Sequence, residues 1–122
     1  MKSVLIALAL LLGGLPASAQ LTAGAARVEI TPDAKAMRVP LGGYAARKDA
    51  PATGVDRPIF ARALVIASGT HKVGIVSVDL CFLPASIKAE VLKRTQSGGC
   101  DLTAENLLLS ATHTHTAPDP LA

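Results

Sequence analysis

Tryptophan is absent from this 122-residue chain, and Tyr44, Phe60 and Phe82 are its only Tyr or Phe residues. So few large rings provide no platform on which nucleobases could stack. Charge is also sparse: 17% of residues are Asp, Glu, Lys or Arg, and the net charge is +3, carried by scattered rather than clustered Lys and Arg. An electrostatic nucleic-acid footprint is thereby excluded. Cysteine occurs only at Cys81 and Cys100, with no CxxC and no Cys/His cluster nearby in sequence to make a zinc site of the two. In an exported protein a disulfide between them is chemically permissible. Unpaired, Cys81 behaves as a small apolar residue behind a buried-looking strand.

What is present begins with a leader. Residues 1–19 carry a positive charge at Lys2, an apolar run from Val4 to Leu12, and Ala17-Ser18-Ala19 before Gln20. This is the layout of a cleavable secretory signal peptide. The run is shorter than the ~20 residues a spanning helix needs, and Gly13, Gly14 and Pro16 break it. No later segment is apolar enough to span a membrane. Secretion, to the periplasm or the extracellular space, and a mature chain of residues 20–122 are expected. Without Lys2 that chain holds eleven basic and nine acidic residues, a net charge of +2.

Arg27-Val28-Glu29-Ile30 alternates polar and apolar side chains and stops at Thr31-Pro32, predicting a short strand. Residues 33–58 have no periodicity and are rich in Pro, Gly and charge, which predicts a long functional or disordered excursion. Within it Pro40-Leu41-Gly42-Gly43-Tyr44 stands out as a tight turn. Strands are predicted over 60–67 and 73–80, joined by a hairpin at Gly69-Thr70-His71-Lys72. The second is almost continuously apolar, which predicts burial on both faces. A helix opens at Pro84-Ala85-Ser86, with Pro in its first turn or Ser86 as its cap, and ends at Gly98-Gly99. A last strand covers 107–112. Strand, helix, strand at this spacing predicts a parallel βαβ unit. The fold class is α/β, a mixed β-sheet with a βαβ unit and flanking helices. No internal repeat or low-complexity tract interrupts it.

Beyond the last strand lies Ser110-Ala111-Thr112-His113-Thr114-His115-Thr116. If the strand continues into this motif, residues two apart share a face and His113 and His115 project side by side. The pair then reads either as a metal or proton-transfer site, or as two histidines in a solvated turn. Thr112, Thr114 and Thr116 are small polar residues able to orient the imidazoles. Asp79 falls at the carboxyl end of the neighbouring parallel strand, where open α/β sheets bind ligands. It reads either as a carboxylate of the same site or as an acceptor for backbone amides at the start of the following turn. His71 reads as a surface residue, Arg57 and Arg62 as structural ion-pair partners. Gly42-Gly43 lacks the flanking strand and helix of a phosphate loop.

Several ordered segments resemble the neutral/alkaline (non-lysosomal) ceramidase family. They are Gly24-Ala25-Ala26-Arg27-Val28-Glu29-Ile30-Thr31, Leu41-Gly42-Gly43-Tyr44, Arg57-Pro58-Ile59-Phe60-Ala61-Arg62-Ala63, Val76-Ser77-Val78-Asp79-Leu80, Glu90-Val91-Leu92-Lys93-Arg94 and Leu109-Ser110-Ala111-Thr112-His113-Thr114-His115. The resemblance implies a secreted zinc amidohydrolase that splits ceramide, a lipid substrate, into a sphingoid base and a fatty acid, with contact at a membrane surface. It implies that His113 is a zinc ligand, that His115 is a catalytic neighbour handling protons and substrate, and that Gly43 belongs to the substrate-binding wall.

The family's further His, Glu and Tyr ligands fall downstream of residue 122. Residues 20–122 are therefore expected to be the N-terminal portion of a larger catalytic domain, inactive alone. Where the family continues with Ser-Gly-Pro-Gly, this chain has Thr116-Ala117-Pro118-Asp119, a change that bears on substrate choice. Two alternatives remain at this stage: a hydrolase of the same fold acting on another N-acyl amide or ester, and a small exported metal-binding protein.

Overall fold

A computed structural model describes residues 20–122; the expected signal peptide lies outside the described residues. The elements run β1 (Leu21–Glu29), α1 (Ala34–Met37), a 3-10 turn (Ala45–Arg47), β2 (Phe60–Ser68), β3 (His71–Val78), α2 (Ala85–Ser97) and β4 (Leu107–Ala111). The four strands form one sheet in the order β1-β2-β3-β4. The first two pairings are antiparallel and β3–β4 is parallel, so the mixed α/β sheet with its βαβ unit is as expected. Among the described residues no helix is long and apolar enough to cross a membrane.

β1 is nine residues long, not the short strand expected. Leu21 to Ala26 are mostly small and carry no alternation, and all nine residues are exposed. Their extended state comes from the β2 backbone, against which they pair from Leu21↔Ser68 to Glu29↔Phe60. Gly69 and Thr70 alone connect β2 to β3, so His71 begins a strand rather than sitting in the turn. It is exposed, at the far end of β3 from the histidine pair.

β3 is less covered than its apolar sequence predicts: only Gly74 is buried, and five of its other residues are half-buried. A Cβ at Gly74 would lie 2.7 Å from Leu102 Cδ1 and 3.3 Å from Leu107 Cδ1. The missing side chain lets the loop after α2 close onto β3. Pro84 caps α2 without a side-chain hydrogen bond, and Gly98 closes it with its N–H directed at the Arg94 carbonyl.

Among the described residues, five apolar ones are buried: Ala34, Cys81, Leu102, Leu107 and Ala117. Leu102 and Leu107 meet at Gly74, whereas Cys81 and Ala117 lie against the Gly42-Gly43 turn. The residues 33–58 are thus not a free excursion. The Gly42 N–H donates to the Ala117 carbonyl and the Asp119 N–H to the Pro40 carbonyl, both at 2.9 Å. Leu41 and Pro118 form an isolated antiparallel bridge. The turn is fastened to the segment that follows the histidines.

Candidate metal centre at the carboxyl end of the sheet

The β3–β4 register, ending at Val78↔Ala111, delivers Cys81 and His113 to the same rim. The histidines meet there for a different reason from the one their spacing suggests. β4 stops at Ala111, and the Thr112 N–H makes a last bond to the Val78 carbonyl at 2.9 Å. His113 then turns into the left-handed region at φ 62°, which histidine adopts more readily than most residues. The extended alternation is broken, and the chain folds back so that the two rings face each other. Their centroids are 5.0 Å apart with planes at 78°.

The His113 Nδ1–H donates to the Cys81 carbonyl oxygen at 2.8 Å. A carbonyl only accepts, so in the neutral ring the proton sits on Nδ1 and the lone pair on Nε2. Such a bond behind an imidazole fixes tautomer and orientation for metal binding. His113 Nε2 lies 3.4 Å from His115 Nε2, a long contact for a hydrogen bond. Zinc–nitrogen bonds of about 2.0–2.1 Å at a tetrahedral angle give a nitrogen–nitrogen edge of about 3.3–3.4 Å. The spacing fits two imidazoles at one transition metal, or one holding the metal while the other exchanges a proton beside it.

Cys81 Sγ completes the cluster. It and one ring nitrogen from each of His113 and His115 all lie within 4.8 Å of one another. Cys81 and Cys100 are both free thiols in the structure, not the disulfide that export would permit. The sequence offered no Cys/His cluster because Cys81 and His113 are 32 residues apart. The parallel register was the signal that could have found it.

Gly43 forms the wall behind His115. Its φ is +76°, and a Cβ there would fall 2.5 Å from His115 Nδ1 and Cε1 and 3.1 Å from Cys81 Sγ. Tyr44 stands edge-on to His115 with ring centroids 6.0 Å apart, a contact the sequence did not single out. None of these residues lines the cavity of about 200 Å³ bounded by Val39, Leu41, Asp56, Arg57, Thr116 and Pro118 among others.

Two expected participants are elsewhere. Asp79 turns toward β2, where its Oδ1 and Oδ2 each accept from Arg62 Nη1 at 2.9 Å and Oδ2 accepts from the Phe60 N–H at 3.0 Å. It belongs to sheet architecture and not to the histidine cluster, and Arg62 is a structural partner as expected. The Thr114 and Thr116 hydroxyls bond each other at 2.9 Å; the Cys81 carbonyl, and no threonine among the described residues, orients His113. Among the described residues, Arg57 pairs with its exposed neighbour Asp56 alone, at 3.6 Å.

Comparison with known proteins joins this geometry to a family. The sequence profile of the neutral/alkaline non-lysosomal ceramidases, N-terminal region, matches residues 21–121. The chain is 36% identical over 104 residues to the neutral ceramidase of Drosophila pseudoobscura pseudoobscura, covering 84% of this chain and 14% of that protein. With the neutral ceramidase of Drosophila melanogaster it shares 34% over 103 residues, 83% and 14% of the two chains. The crystal structure of neutral ceramidase from Pseudomonas aeruginosa superposes with a TM-score of 0.71 at 27% identity, over 83% of this chain and 16% of that one. A ceramidase structure complexed with C2 gives 0.69 at 28% identity, with the same coverage. The chain spans about one seventh of the length of the curated relatives it matches.

Proposed function

The chain belongs to the neutral/alkaline non-lysosomal ceramidase family, and we propose that it supplies part of the active site of a zinc-dependent amidohydrolase that splits ceramide into a sphingoid base and a fatty acid. The observation that carries this reading is the bond from His113 Nδ1–H to the Cys81 carbonyl. It leaves the Nε2 lone pair as the donor on the side of His115. Zinc held there supplies Lewis-acid polarisation of the scissile carbonyl and acidifies water.

The chain's own residues divide the remaining work. His113 binds the ion and is held in one orientation by the backbone behind it. His115, 3.4 Å away, takes a proton from the nucleophile and returns one to the leaving amine, the exchange expected of an imidazole near neutral pH. Gly43 keeps the wall flat enough for the His115 ring and for an acyl chain passing beside it. The cavity next to Thr116 and Pro118 is mostly apolar with Asp56 and Arg57 in its lining, which suits a hydrocarbon chain that carries a polar group. Export through residues 1–19 brings the protein to lipid outside the cytoplasm.

One observation favours a second substrate class, another N-acyl amide or ester on the same machinery. Thr116-Ala117-Pro118-Asp119 differs from the Ser-Gly-Pro-Gly the family carries, and Thr116 and Pro118 line the cavity. Fatty-acid release by the whole protein from ceramide and from a panel of N-acyl amides and esters separates the two. Ceramide as the preferred substrate supports the first reading; turnover of the panel without ceramide replaces it with the second.

A further inference from the structure

Cys81 meets both halves of the histidine pair, and the reading above uses only one of those contacts. Its carbonyl accepts from His113 Nδ1–H at 2.8 Å. Its side chain, on a residue 5% exposed, fills the space that Gly42 and Gly43 leave open. A Cβ on Gly42 would lie 3.0 Å from Cys81 Cβ, and one on Gly43 3.1 Å from Cys81 Sγ. The same added carbon on Gly43 would lie 2.5 Å from His115 Nδ1. The sulfur and the imidazole therefore rest against one face of one turn.

Hydrogen bonds hold that turn along its edge, from the Gly42 N–H to the Ala117 carbonyl and from the Asp119 N–H to the Pro40 carbonyl. How closely its face approaches the rim is set by the side chain it packs on, which is Cys81. At the density of a protein interior, one added or missing carbon at such a contact moves its neighbours.

We propose that the Cys81 side chain is a positioning residue for His115, acting through the Gly42-Gly43 turn. The inference rests on the reading of His115 as the proton-handling group and adds what fixes its place. Cys81 holds one imidazole by its carbonyl and spaces the other by its side chain, keeping the two Nε2 atoms 3.4 Å apart. The role needs the size of the side chain and no chemistry of the thiol.

The test exchanges size across this contact in the whole protein. Gly42, unlike Gly43, lies outside the positive-φ region. Gly42→Ala therefore adds a carbon 3.0 Å from Cys81 Cβ without backbone strain, and Cys81→Gly removes the atom it meets. At about a hundredfold per ångström of misplacement, a shift of about half an ångström should lower kcat about tenfold in each single variant, with KM within about twofold. The double variant should return kcat to within about threefold of the native value, because the two changes share one contact. Assays well below each melting temperature keep loss of folded protein out of the comparison. Losses that multiply in the double variant, or an unchanged kcat in Gly42→Ala, overturn the proposal.

A native protein that turns over no N-acyl amide or ester overturns the reading of His115 and not its positioning. Crystal structures then decide, as they do should Cys81→Gly fail to fold. The His115 ring should be displaced relative to His113 in Gly42→Ala, and a ring in its native place there overturns the proposal.

Discussion

Gly43 and His115 are in direct contact: a methyl group on Gly43 would stand 2.5 Å from His115 Nδ1. The positive φ and the missing side chain serve the same purpose, bringing a backbone turn flat against an imidazole.

Gly43→Ala therefore meets two penalties, a Cβ at φ +76° and a ring in its path. Backbone strain alone costs about 1–2 kcal/mol. Displacing His115 by about an ångström should lower turnover by the whole protein about a hundredfold. Gly24→Ala, in β1 with nothing within 4 Å of the added carbon, is the control and should leave turnover unchanged. Thermal melting and kcat/KM of the two variants check both halves of the prediction.

Tyr44 steadies the same ring from its edge, with centroids 6.0 Å apart. An edge-to-face pair contributes about 0.5–1.5 kcal/mol, and Tyr44 is partly exposed, so the lower end applies. Tyr44→Ala should reduce turnover several-fold, and Tyr44→Phe should retain it. Loss in both variants would instead assign the work to the hydroxyl.

Asp79 is expected to matter for stability and not for the metal. Asp79→Asn weakens the links to Arg62 and the Phe60 amide. With Arg62 46% exposed, the cost is about 1–2 kcal/mol. Urea unfolding should register that loss, while calorimetric zinc affinity should be unchanged. A fall in zinc affinity at equal stability would return Asp79 to the site.

The strands with apolar runs, and a helix bounded by Pro84 and Gly98-Gly99, were legible because local pattern and final environment agree. β1 was only half legible: Leu21 to Ala26 have no pattern of their own and are extended because β2 pairs them. The histidine pair was legible as a pair, but spacing implied a continued strand where the chain takes a left-handed step at His113. Cys81 and Tyr44 were missed because contacts across 32 residues, or across the Gly42–Ala117 clamp, exist only once the sheet and the turn have formed. Asp79 was legible as a backbone-amide acceptor, though the amide is that of Phe60 and not one of the turn that follows it. It sits at the expected rim but turns to the strand on the other side.

The Lys72–Asp101 ion pair ties the start of β3 to the segment after α2. Their mutual hydrogen bond holds the Asp101 carboxyl below, and the Lys72 ammonium above, its ordinary titration range. A depressed acid stabilises above its unfolded value and loses that contribution as pH falls through the folded one; a raised base loses its own as pH rises through the folded one. The pair should therefore contribute between the two ranges and fade at both extremes. NMR titration should find the Asp101 carboxyl returning to its ordinary value in Lys72→Ala.

Fatty-acid release from ceramide by the whole protein, followed through chelation, zinc restoration and His113→Ala, decides whether His113 holds a catalytic zinc. Turnover should be lost on chelation, regained with one equivalent of zinc, and absent in a folded His113→Ala variant. Undiminished turnover in that variant, or in the metal-free protein, would contradict it.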